Sequence, residues 1–340
     1  MRIEFRFGTK RVFHMETELY DRQIRLWGQE AQQRLQSGRT LLCGIGGLGA
    51  EVVKNLTLAG ISVTVVDDAV VTAHDLSANF FLAESDIGAN RALASLPRIR
   101  ELNKYVTIEG RTEALDLLSD DVVATHNVVI VTGPRSTQRV GLNAFCRKHG
   151  IAFYSADVFG FEGFLFVDVG SHTYRTESGS GEKKKLSGPI VTTFPSLREA
   201  IEVPLRQLGS KRFGPVSPVY VHARILSEFN TAHDGRAATA GDAHKVLGVG
   251  QRLFAREEQG SQFRIDDARQ LAACAQVGNR SDCNIHREHR YFSSGLISTF
   301  LFAFLFVVVV GSLQANLAPV CALLGGVLGQ EVVKFLSGKG

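Results

Sequence analysis

Gly44-Ile-Gly-Gly-Leu-Gly49 is the stretch on which the fold turns. Residues 40–43 (TLLC) before it form a short apolar run, residues 48–58 carry apolar positions at helical spacing, and residues 62–66 (SVTVV) alternate as a second strand does. Strand, glycine turn, helix and strand in that order make one βαβ unit. In this context the G-x-G-x-x-G pattern has physical content: glycines let the backbone approach a phosphate, and the helix N-terminus supplies positive potential. Gly44, Gly46 and Gly49 are therefore the candidate nucleotide-contacting positions. Asp67, followed by Asp68, ends the second strand about 20 residues on, where an acidic side chain ordinarily takes ribose hydroxyls.

Working outward, residues 128–131 (VVIV) form a continuous apolar run suited to a buried parallel strand. Residues 137–149 read as a helix, 151–155 as another strand, and 163–169 as an antiparallel edge strand. The expected architecture is a doubly wound, Rossmann-like α/β fold. Beyond it the pattern loosens. Residues 175–188 (RTESGSGEKKKLSG) have the composition of a mobile surface loop, and Lys183 to Lys185 read as a solvated charge run before a nuclear-import patch. A short helix is expected over 196–205, a longer one over 218–229, and helical character over 232–276.

The 340 residues, 44% hydrophobic and 21% charged, suffice for a full core. A net charge of +4 from 38 basic and 34 acidic residues is too balanced for a nucleic-acid footprint. The five cysteines, Cys43, Cys146, Cys274, Cys283 and Cys321, are odd in number and contain no Cys-x-x-Cys pair, which indicates neither a disulfide framework nor a zinc site. Residues 1–14 are basic without the apolar core of a secretory signal, so residues 1–15 are read as an extension and Met15 as the natural start. Residues 295–310 (GLISTFLFAFLFVVVV) are uncharged but shorter than the ~20 apolar residues that span a bilayer. A translated intron is the first reading of that stretch, a buried element the second and a membrane segment the third.

The opening Tyr20-Asp-Arg-Gln-Ile-Arg-Leu-Trp-Gly28 resembles the first helix of the ubiquitin-activating superfamily, which includes the bacterial MoeB and ThiF adenylating enzymes. Ala156-Asp-Val-Phe-Gly-Phe-Glu-Gly163, and Leu317-Ala-Pro-Val-Cys-Ala-Leu-Leu-Gly-Gly326 with Gln330-Glu-Val-Val-Lys334, resemble segments of the regulatory, Aos-type subunits of SUMO-activating enzymes. The resemblance covers residues 19–229 and 317–335. It implies division into a ThiF-type domain at 16–175, a variable region at 176–316, and a C-terminal helix at 317–340 that completes the adenylation fold. The family normally continues with a further strand past the point corresponding to Gly340.

The resemblance also implies roles. The arginine matching Arg22, and with less weight Arg25, reaches across a dimer to the triphosphate in the partner's site, where a planar guanidinium can bind two oxygens at once. The competing reading is an amphipathic helix whose arginines sit in solvent. Active members carry an Asn-x-x-Arg-Gln stretch, a lysine, and a magnesium-holding aspartate after the fourth strand. Here Asp75-Leu-Ser-Ala-Asn-Phe-Phe81 has no arginine, Arg91 stands near the lysine position, and Gly133-Pro134 replaces the aspartate. The chain is thus expected to be a pseudo-active copy with a vestigial glycine loop, and ATP and magnesium are expected in the partner subunit's site. The expected partners are a catalytic SUMO-activating subunit and SUMO, without nucleic acid or membrane, in the nucleus and also the cytoplasm. No cysteine sits in the thioester motif of the catalytic half, which assigns that nucleophile to the partner. The alternatives are the regulatory half of the enzyme for the cullin-modifying ubiquitin-like protein, a dinucleotide-dependent oxidoreductase, and a scaffold without contact to ATP.

Overall fold

In a computed structural model of the chain, the structure describes residues 19–133, 139–159, 162–174, 177–178, 185–208, 218–233, 238, 240–256 and 316–338. Two helices, α1 (Asp21–Trp27) and α2 (Gln29–Ser37), lead into β1 (Arg39–Cys43), α3 (Gly47–Leu58) and β2 (Ser62–Val66). There follow α4 (Arg91–Leu102), β3 (Ile108–Arg111), α5 (Asp120–Ala124), β4 (Val128–Thr132), α6 (Arg139–His149), β5 (Ala152–Phe159) and β6 (Glu162–Asp168). The sheet order is β3-β2-β1-β4-β5-β6. Its first five strands run parallel, and β6 pairs antiparallel with β5 at the edge.

Alternation along the strands divides the core in two. Leu42, Ile130 and Tyr154 face a cluster with α3, while Leu41, Cys43, Val129, Val131 and Phe153 face one that includes Cys146 of α6. Because the strands are covered on both faces they read as unbroken apolar runs. The structure carries β5 beyond residue 155 to Phe159, since its antiparallel partner β6 continues the ladder from Ser155↔Phe166 to Phe159↔Glu162.

After the sheet come β7 (Ser171–Tyr174), β8 (Glu177–Ser178), β9 (Lys185–Leu186), β10 (Ile190–Thr193), α7 (Leu197–Glu202), α8 (Leu205–Leu208), α9 (Pro218–Ala232) and α10 (Ala243–Arg256). β8 pairs with β9 inside the stretch whose composition predicts only loop. A two-residue ladder needs backbone groups alone, so side-chain pattern does not reveal it. Leu205, Val221, Ile225, Phe229, Val246, Val249 and Leu253 give α8, α9 and α10 a small core of their own. The expected helical stretch at 232–276 contains α10; residues 257–276, the extension 1–15 and the apolar stretch 295–311 lie outside the described residues.

The final helix, α11 (Ala318–Ser337), is apolar and long enough to cross a bilayer by length and composition, yet it packs on α2, α3, β5 and β6. A Cβ on Gly325 would lie 2.7 Å from that of Glu51, and one on Gly329 3.0 Å from that of Asn55. Gly325 and Gly329, one turn apart, therefore set the close approach to α3. Of the adjacent Gly325 and Gly326 only the first does so, because Gly326 faces open space.

His126 is buried beside β2, its Nε2 3.0 Å from Thr64 Oγ1 and its Nδ1 2.8 Å from Val122 O. Burial holds its pKa below the ordinary 6.5, with Arg39 and Arg111 adding repulsion against a hydrogen bond to Val122 and the pull of Glu109. The unfolded chain then binds the proton more readily, so this contribution to stability is present above pH 6.5 and is lost as pH falls below it. Melting temperatures measured between pH 7.5 and 5 are expected to fall more for the native chain than for His126→Gln.

Candidate functional site

The strand order reverses between β1 and β4, which opens a crevice at their C-terminal ends where α/β sheets bind ligands. The glycine turn lies there. Gly44 adopts φ +94°, donates its N–H to Val66 O at 2.8 Å, and accepts from Thr132 Oγ1 at 2.7 Å. A Cβ on Gly44 would overlap Thr132 O, and one on Gly49 would overlap Gly44 O. Outside Gly46 the space is open, with nothing within 4 Å of a built Cβ. The outer glycines are thus required by the chain's own packing and the middle one is not. Gly49→Ala is expected to cost about 3 kcal/mol or more by overpacking, and Gly46→Ala less than about 1 kcal/mol; urea denaturation of the two variants checks this.

Asp67 has a different job from the ribose contact its position suggests. It is buried, and its Oδ2 accepts from Ile45 N at 2.7 Å and from Arg91 Nη2 and Nε at 2.7 and 3.0 Å. Its Oδ1 accepts from Ala69 N at 2.9 Å. Both oxygens are therefore engaged within the chain. Arg91, at the start of α4, also donates to Asp75 Oδ1 at 2.7 Å, which ties β2, the glycine turn and the 72–75 turn together. Burial works against the ionised form of Asp75, but the Thr72 hydroxyl and amide and then Arg91 hold its carboxyl below the ordinary 3.8.

Across the crevice Arg139 forms a two-pronged pair with Asp157, Nη1 to Oδ2 at 2.6 Å and Nη2 to Oδ1 at 2.8 Å. It also donates to Ser155 Oγ at 2.9 Å and to Gly133 O. Sequence reading gives Asp157 only as part of the 156–163 segment; the partner 18 residues earlier carries no local signal. The crevice between these groups has a volume of about 670 Å³. The two guanidiniums that could meet a triphosphate here, those of Arg91 and Arg139, are engaged within the chain. Arg91 is bound to Asp67 and Asp75 and Arg139 to Asp157, both oxygens of Asp67 are engaged within the chain, and β4 is followed by Gly133.

The arginines of α1 part company. Arg25 is paired to Asp21 on the same helix, Nη2 to Oδ2 at 2.9 Å and Nε to Oδ1 at 3.1 Å. Arg22 is exposed and has no hydrogen bond or ion pair among the described residues. The helix that carries it is fixed at both ends. Tyr20 is buried and its hydroxyl accepts from Asn103 Nδ2 at 2.8 Å, while Trp27 Nε1 donates to Gln32 Oε1 at 3.2 Å. Arg22 is thus presented from a firm base and is not among the residues that line the chain's own crevice.

The described cysteines are all buried. Desolvation raises the Cys43 thiol, pushes Cys146 up to about 12 and Cys321 up to about 11, which is the reverse of what a thiolate nucleophile needs. Cys274 and Cys283 lie outside the described residues.

This sheet, with a glycine turn at its switch point and a capping C-terminal helix, is of the nucleotide-binding α/β class. The chain belongs to the ThiF family, which matches it over residues 20–340 and so also spans the stretch 230–316 that the motif-level resemblance leaves uncovered. The SUMO-activating enzyme subunit 1 of Xenopus laevis is 36% identical over 325 residues, covering 95% of this chain and 89% of that protein. The protein of the same name in Bos taurus is 31% identical over 347 residues (95% and 88%), and that of Dictyostelium discoideum 24% over 332 residues (97% and 88%).

Proposed function

We propose that this chain is the non-thioester-forming subunit of a SUMO-activating enzyme, acting on ATP held by a catalytic partner. One observation carries the reading: Arg91 and Arg139 of its own crevice are held in internal ion pairs, while Arg22 stands exposed on a braced helix with no partner among the described residues. The likeness to proteins named SUMO-activating enzyme subunit 1 supports the choice of modifier over the cullin-modifying alternative. In this reading ATP and magnesium in the partner's site supply the adenylation of SUMO's C-terminal glycine, and the partner's cysteine takes the thioester. The chain contributes Arg22, whose fork of donors meets charge growing on the phosphate oxygens. It contributes no nucleophile of its own, its glycine loop serves the fold, and it works where SUMO conjugation does, in the nucleus and cytoplasm.

The test is SUMO-dependent exchange of pyrophosphate into ATP by the chain alone, by the catalytic subunit alone and by the pair. Exchange by the pair only is the expected result. Exchange by this chain alone overturns the reading of its crevice, and nicotinamide-dependent hydride transfer would favour the oxidoreductase alternative.

A further inference from the structure

Helix α1 buries none of its own residues, so apolar packing does little to decide where Arg22 points. What holds the helix is a set of side-chain hydrogen bonds that converge on one place, the end of α3. A helix ends in carbonyls that lack an intrahelical donor. Three successive ones are met here by side-chain amides: Thr57 O accepts from Asn103 Nδ2 at 2.9 Å, Leu58 O from Gln23 Nε2 at 3.2 Å, and Ala59 O from Gln32 Nε2 at 3.1 Å.

Asn103 and Gln32 are buried, and each also reaches an end of α1. Asn103 Nδ2 donates to the Tyr20 hydroxyl at 2.8 Å, and Gln32 Oε1 accepts from Trp27 Nε1 at 3.2 Å. Asn103 Oδ1 accepts from Tyr105 N at 3.0 Å, so both ends of that carboxamide are engaged and its orientation is set. Tyr20 is the residue from which the helix starts: it is buried, and its carbonyl accepts from Ile24 N at 2.8 Å. Its ring lies so close to Gly60 that an added Cβ there would come within 3.0 Å of the phenol oxygen. Arg22 follows two residues on. Trp27 closes the helix and packs against the main core.

We propose that Asn103 and Gln32 are positioning residues for the phosphate contact: two buried carboxamides that clamp the ends of α1 to the end of α3 and so aim Arg22. The inference rests on the reading of Arg22 as a group that acts on ATP in the partner's site. Capping the carbonyls of α3 would by itself explain one hydrogen bond from each amide. It leaves the second bond of each, to Tyr20 and to Trp27, without a reason. Hydrogen bonds are directional where apolar contacts are not, which suits them to fixing the angle of an exposed helix.

The experiment pairs the full-length chain with a saturating concentration of the catalytic SUMO-activating subunit and follows SUMO-dependent pyrophosphate exchange over a range of ATP concentrations. Tyr20→Phe keeps the ring and removes one clamp bond, so the chain is expected to melt within about 4 °C of native. It is expected to lower kcat about tenfold, the scale of a guanidinium displaced by about 1 Å or less. KM for ATP should stay within about twofold, because the contact belongs to the transition state. Trp27→Phe repeats the test at the other end of the helix. Made on top of Arg22→Ala, either change is expected to lower exchange by no more than about twofold further, since the side chain it aims is gone. A merely structural role would lower exchange alike in both backgrounds. Equal losses with and without Arg22, no loss with Arg22 present, or a loss that more subunit restores overturns the clamp and leaves the role of Arg22 standing. Exchange undiminished by Arg22→Ala alone overturns that role, and the clamp with it.

Discussion

Arg22→Ala, combined with a catalytic partner, is expected to lower SUMO-dependent pyrophosphate exchange by about 10³-fold, the scale on which an arginine supplied in trans acts at a phosphoryl centre. The size follows from where the side chain works. An exposed guanidinium on the free subunit does little for folding, so its removal leaves the melting temperature close to native. In the complex it would meet charge that builds only in the transition state, and losing a contact made only there lowers the rate without weakening the ground state. Arg22→Lys should recover a small part, because an ammonium replaces the charge but not the planar fork. Arg25→Ala should cost far less than Arg22→Ala, since Asp21 already holds that side chain along the helix. Equal losses from the two variants would mean that the Asp21–Arg25 pair does not persist in the complex. A scaffold without contact to ATP predicts no loss from either.

Much of this was readable beforehand where local chemistry and global fold agree. The glycine turn, β1, β2 and β4 announce themselves because buried parallel strands need apolar runs and the turn needs glycine at Gly44 and Gly49. β3 does not, since only Ile108 of Ile-Glu-Gly-Arg is buried, which leaves no alternation to see. Helix α4 is hidden by Pro97 in its interior, and α2 by the polar face of Gln-Glu-Ala-Gln-Gln-Arg. The site divides in the same way. The expected departures from the residue types of active members are visible one position at a time, at Arg91 and Gly133. What replaces them is not, because Arg91 meets Asp67 and Asp75 across 24 and 16 residues, and Arg139 meets Asp157 across 18. A charge in a sequence shows that a counter-charge is needed and not which residue supplies it.

Asp67→Ala is expected to be the most damaging single substitution in the crevice, at about 3–5 kcal/mol, the usual result of removing one partner from a buried ion pair. Three groups lose their acceptor together. The Ile45 and Ala69 amides are each left without their carboxylate oxygen, and a buried orphan N–H costs about 1–3 kcal/mol. Arg91, whose side chain is only 16% exposed, keeps Asp75 alone. The damage reaches the glycine turn through Ile45, and so the turn between β1 and α3 around which the sheet is wound. For a chain of this size, each kcal/mol moves the melting temperature by about 2–4 °C, which puts the expected fall near 10 °C. Asp67→Asn should fall between, because one amide oxygen can still accept from the backbone while the charge facing Arg91 is gone. If Asp67→Ala melts within about 2 °C of native, a shift worth under 1 kcal/mol, then Arg91 has found other counter-ions. The crevice would then be an adaptable site with a cation to offer a phosphate, and nucleotide binding by the chain itself would have to be measured anew.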